Sequence, residues 1–245
     1  MKDLFLDFIS FLRTPERGVS SQKTFNEQLI EVIKIFAITF AAVILLVMPL
    51  MTLIGADDLP NKLSELENLG FDEKWQQNLA LFSLAVIAAP LIEEMLFRFP
   101  LKYRRGAIAL SMICFATLTA NILQLTGVSI EQATLMSVIL IAVLSIILYF
   151  RLRGENQLDN FSNRYYPYLF YAAALLFAFA HVFNYELTPD QMWMTPILVL
   201  PQMLLGLMLG FLRVKYGLWA SIMAHAMNNF IPTLAIIFMP EGGYQ

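Results

Sequence analysis

The sequence is poor in charge, in cysteine and in histidine, and each shortage narrows what the chain can be. Asp, Glu, Lys and Arg together make up 14% of its 245 residues, whereas 58% are hydrophobic. With a mean hydropathy of +0.65, so few charges cannot cover a water-soluble surface, and the chain reads as an integral membrane protein. The one cysteine, Cys114, lies in an apolar run, which excludes an intrachain disulfide and a cysteine-rich metal centre. A net charge of -3 offers no basic surface, so no nucleic-acid partner is expected. GxSxG and HExxH are both absent, so neither a serine-hydrolase elbow nor a zincin helix is indicated. Of histidine there are two, His181 and His225, and both sit inside apolar segments.

What is present in quantity is apolar runs. A helix needs about 20 apolar residues to cross the hydrocarbon core, and seven runs of about that length occur, at 29–54, 77–100, 106–127, 130–150, 166–186, 192–212 and 216–239. The predicted fold is all-α and polytopic, with about seven transmembrane helices plus an N-terminal amphipathic helix. Residues 1–28 form a cytoplasmic amphipathic segment, and residues 29–245 a single helical membrane domain. "MKDLFLDFISFLR" alternates charge with large apolar side chains, as a helix lying on a membrane surface does, and lacks the unbroken apolar stretch of a signal peptide. The sizeable polar connection is 55–76. Counted against these spans, 13 of the 16 basic residues fall on one side. By the positive-inside rule the N-terminus is cytoplasmic and the C-terminus outside, and the short loops suit a bacterial inner membrane.

Against that background "APLIEEMLFRFP", residues 89–100, places Glu93, Glu94 and Arg98 within a span. Each charge costs about 2.5–3.5 kcal/mol there on insertion scales. Glu94 and Arg98 are four residues apart, share a helix face and can pair. Glu93 points about 100° away and must find its partner on another helix or become protonated by desolvation. Pro90 removes a backbone hydrogen bond just upstream. Phe177 precedes His181 by four residues, where its ring can brace the imidazole; Asn229 follows His225 by four and can donate its amide to whatever His225 contacts. Asn184 and Asn228 are near enough to compete for such roles. A desolvated carboxylate beside imidazoles can deprotonate water, and an imidazolium or amide can stabilise an oxyanion, so the chemistry this set permits is hydrolysis. Two imidazoles and a carboxylate also match a three-ligand zinc site with an open position.

Three motifs then occur in order on separate spans: "EEMLFR" fits Glu-Glu-x-x-x-Arg, "FAFAH" fits Phe-x-x-x-His and "HAMNN" fits His-x-x-x-Asn. Together they resemble the CPBP family of CAAX proteases and bacteriocin-processing proteins, which includes the type II CAAX prenyl proteases and lysostaphin-resistance-like proteins. The resemblance covers about residues 77–235. It implies an intramembrane endopeptidase in which Glu93 activates water, His181 positions it, and His225 with Asn229 stabilises the oxyanion, while Glu94, Arg98 and Phe177 support the site. No cofactor is then expected. Zinc held by Glu93, His181 and His225 remains the metalloprotease alternative, and a non-catalytic scaffold or bacteriocin-immunity protein the other. The implied partners are the lipid bilayer and a peptide or protein cleaved in or at it.

One count strains this expectation. Glu93 is nine residues from Lys102 and His225 ten from Lys215, or about 13–15 Å deep at 1.5 Å per residue. His181 is seventeen from Arg164, or about 25 Å. The depths agree only if the tyrosine-rich start of the fifth span lies in the interface or the helices tilt strongly.

Overall fold

The structure is a computed structural model that describes residues 2–18, 21–56, 59, 71, 73–102 and 164–238, with scattered positions between 129 and 143. The described residues are helical almost throughout. An N-terminal helix α1, Lys2–Arg13, precedes five helices long and apolar enough to cross a membrane: α2 (Phe25–Leu53), α3 (Lys74–Phe97), α4 (Tyr166–Asn184), α5 (Pro189–Lys215) and α6 (Leu218–Phe238). The expected spans 106–127 and 130–150, with Cys114, lie outside the described residues but for scattered positions, as does most of the 55–76 connection.

Proline shapes two of these helices in the same way. A proline ring collides with the carbonyl four residues back and brings no N–H; a wider π-turn moves that carbonyl aside. Ahead of Pro49 the backbone of α2 opens into a π-turn at Val43–Val47, and ahead of Pro90 that of α3 does so at Ser83–Ala88. Thr24 starts α2 with a capping box, its backbone N–H donating to the Glu27 carboxylate at 2.8 Å.

The bundle is built around α5. In its most apolar window 61% of the residues are buried, against 22–28% for the other spanning helices. Two glycines one turn apart make this possible, because they let α4 lie directly on the α5 backbone. A Cβ on Gly206 would meet the Ala174 carbonyl oxygen at 3.2 Å, and one on Gly210 would meet Cε2 of Phe170 at 2.6 Å. Gly210→Val is therefore expected to destabilise the bundle by about 1–3 kcal/mol, the usual cost of overpacking. A thermal midpoint in detergent indistinguishable from wild type would show that α4 and α5 pack otherwise.

Helix α1 does not simply float on lipid. Its Leu4, Phe8 and Phe11 are buried, with Phe8 edge-on to Phe211 at 5.1 Å and Phe11 edge-on to Phe170 at 5.2 Å. The Tyr171 hydroxyl donates to the Leu12 carbonyl, and Asp7 pairs with Lys215. The surface-lying helix predicted from its alternating pattern thus commits one face to protein, and Phe5 and Leu6 stay exposed. The Ser21 N–H continues the contact by donating to the Lys215 carbonyl at 3.0 Å. Next to it the Tyr216 hydroxyl donates to Glu31; burial first, and this hydrogen bond second, push that hydroxyl above its ordinary range, so it stays a donor.

Candidate active site

Three helices deliver the polar groups: α3 carries Glu93 and Glu94 and is capped by Arg98, α4 carries Phe177 and His181, and α6 carries His225 and Asn229. Glu94 and Arg98 form the expected pair four residues apart, with Nη1 to Oε1 at 3.3 Å and both side chains shut off from solvent. The same Oε1 accepts from Nδ1 of His225 at 2.9 Å. One buried carboxylate thus holds a guanidinium and fixes an imidazole, which limits the desolvation cost of each.

Glu93, on the neighbouring face, is different. Its side chain is 29% exposed, and its Oε2 lies 3.8 Å from His225 Nε2, beyond hydrogen-bond reach. That oxygen is itself buried and accepts no hydrogen bond from the described residues. Glu93 and Glu94 therefore address the two nitrogens of one imidazole, Glu94 by a hydrogen bond and Glu93 across a gap.

His181 owes its position to the way α4 ends. The α-helix tightens into a 3-10 turn at His181–Asn184, which frees carbonyls of the last α-turn from backbone donors. Nδ1 of His181 donates to one of them, Phe177 O, at 2.8 Å. That bond assigns the proton to Nδ1 in the neutral ring and leaves Nε2 as an acceptor. Glu93 and His225 both lie within electrostatic reach of this imidazole.

Phe177 joins the parts. It is fully buried, with the His181 ring at 4.8 Å, the His225 ring edge-on at 5.5 Å and the Arg98 guanidinium 3.9 Å over its face. The bracing expected for His181 extends to His225, and the cation–π contact gives Arg98 a second partner in a dry setting.

At the other end of α4 Tyr171 is tied to the N-terminal helix, and His181 stands ten residues beyond it, about 15 Å along the helix. The Phe177 ring, in contact with both imidazoles, puts His181 and His225 at one level of the bundle. Asn229 is placed less simply than expected: its Nδ2 donates to the Ala85 carbonyl at 2.9 Å, and its Oδ1 accepts from Asn228 at 3.3 Å.

In the sequence Arg213 is one of the basic residues between the sixth and seventh apolar runs. It is buried, and its Nε donates at 3.0 Å to the carbonyl of Arg98, closing the C-terminal end of α3 with a cation. No sequence signal distinguishes it from Lys215 two residues later. Among the described residues no three His, Cys, Asp or Glu side chains are grouped to hold a metal ion.

A family model described as type II CAAX prenyl endopeptidase, Rce1-like, matches residues 75–231. That stretch is well over half of the chain, from the first turn of α3 into α6, and contains every site residue named above. No curated protein and no solved structure matches.

Proposed function

The chain belongs to the Rce1-like type II CAAX prenyl endopeptidase family, and on that premise we propose that it is an intramembrane peptidase in which Glu93 activates the water that attacks the peptide bond. The observation that carries this is the Glu93 carboxylate: one oxygen is buried, accepts no hydrogen bond from the described residues, and faces His225 Nε2 at 3.8 Å. Glu93 takes a proton from water as the oxygen attacks the carbonyl carbon. His181, with its proton held at Nδ1 by Phe177, accepts the second hydrogen of that water at Nε2 and aims it. The oxyanion accepts a hydrogen bond from Nε2–H of His225 as the imidazolium, and the proton stays on the ring. Glu94 keeps the ring aligned through Nδ1. Collapse of the tetrahedral adduct breaks the C–N bond, and Glu93 returns its proton to the leaving amine.

The substrate class is a peptide or protein segment at the membrane, and the family points to a prenylated C-terminal CAAX sequence. In this reading the protein lies in a bacterial inner membrane, with its N-terminus and the basic end of the bundle cytoplasmic, and works without a cofactor. The test uses purified protein and a quenched peptide ending in a prenylated CAAX sequence, together with membrane proteomes of cells expressing wild type or Glu93→Gln. Cleavage products confined to wild type, and lost in a folded His225→Ala variant, are expected; an unchanged Glu93→Gln phenotype would leave a scaffold. The zinc alternative, with Glu93, His181 and His225 as ligands, predicts activity lost to a chelator and restored by metal. The glutamate mechanism predicts cleavage that survives chelation.

A further inference from the structure

The ladder of α3 has a missing rung, and a neighbouring helix supplies it. Through the π-turn Ser83–Ala88 the backbone bonds run five residues back, so that the Ala89 N–H donates to the Leu84 carbonyl. The next rung in that register joins the nitrogen of Pro90 to the Ala85 carbonyl, and proline has no N–H to give. Asn229 takes its place: its Nδ2 donates to the Ala85 oxygen at 2.9 Å, and Asn228 holds its amide from the other side at 3.3 Å.

The consequence falls on the two glutamates that follow. Glu93 stands three residues past Pro90. A π-turn accommodates one extra residue, so its loss rotates everything downstream by about 100°, the angle between successive helical residues. That is also the angle that separates Glu93 from Glu94. The state of this turn decides which carboxylate faces His225 and His181, while the Glu94–Arg98 pair, four residues apart on the same helix, turns with it.

We propose that Asn229 is a positioning residue: its amide supplies the hydrogen bond that Pro90 withholds, holds the π-turn of α3, and so sets the rotational register of Glu93 against His225 and His181. The proposal rests on Glu93 being the base, and it differs from the oxyanion-donor role that the motif implies, because it is exerted on the resting enzyme before any substrate arrives.

Hydrogen exchange of substrate-free protein in nanodiscs separates the two roles. In Asn229→Ala, amides over residues 83–92 should exchange about three- to tenfold faster, the range that interhelical hydrogen bonds in membranes support, with the rest of the bundle unchanged. Unaltered exchange would overturn the proposal without touching the role of Glu93. A second variant, Asn229→Ala combined with Pro90→Ala, removes the ring that opens α3 and returns an N–H to position 90, so protection should come back through a plain α-helix. On the prenylated CAAX peptide, Asn229→Ala should lower kcat with KM nearly unchanged, and the double variant should stay low, because the register of Glu93 has turned by about 100°. Protection that fails to return, or a double variant whose turnover recovers to the wild-type level, would overturn the proposal.

Discussion

Glu93→Gln is expected to reduce cleavage by a factor of about 10²–10⁴, the usual contribution of a general base, with stability changed by less than about 1 kcal/mol. The second half of this expectation comes from the surroundings of the side chain. Among the described residues the Oε2 of Glu93 accepts no hydrogen bond. The 3.8 Å approach to His225 is too long to hold the fold together. Glutamine keeps the shape and removes only the basicity. Turnover of the prenylated peptide and thermal unfolding measured on one preparation give both numbers. A variant that retains wild-type turnover would remove the proposed base, and one that fails to fold would mean that Glu93 is structural.

For Glu94 the balance reverses. Glu94→Ala leaves Arg98 with 1% of its side chain exposed and its counter-ion gone. Stranding a buried charge costs about 3–5 kcal/mol, a large part of the 5–15 kcal/mol that typically holds a domain together. Folded protein should largely disappear from size-exclusion profiles of the solubilised membrane fraction. The cation–π contact with Phe177 offsets only part of the loss, since such contacts contribute about 2 kcal/mol when desolvated. Replacing both partners, Glu94→Leu with Arg98→Leu, should restore folded yield, because an apolar pair of similar volume needs no desolvation. Cleavage should nonetheless stay low, because Nδ1 of His225 then has no acceptor to align the ring. A folded and fully active double variant would show that alignment of His225 does not depend on Glu94; a well-folded Glu94→Ala variant would show that Arg98 is compensated elsewhere.

The two glutamates show how far helical spacing can be read. The i, i+4 offset brings Glu94 and Arg98 together in the structure, and the 100° offset leaves Glu93 to other helices. The same rule seats the Phe177 ring against His181. Spacing fails where the backbone is not a plain α-helix. It could not show that α4 tightens at His181 and hands the Phe177 carbonyl to the imidazole. Nor could it show that α3 widens before Pro90 and turns Asn229 toward the Ala85 carbonyl. Depth counted from Arg164 sets His181 apart from His225, whereas the Phe177 ring brings the two imidazoles to one level, a contact between helices that no count along one chain segment reports.

Composition and local period alone determine that this chain is a helical membrane protein, because backbone groups in hydrocarbon must be satisfied within each segment and apolar length is written along the chain. They also determine which side chains are too costly to be in the bilayer by accident. Tertiary structure decides what those side chains touch: that Glu94 and not Glu93 fixes His225, that Phe177 serves two imidazoles and a guanidinium, and that glycines on α5 make it the centre. Those outcomes depend on helix rotation and close approach, which are set by a π-turn, a 3-10 turn and two missing Cβ atoms. None of these changes hydropathy, and so no periodicity in the sequence reports them.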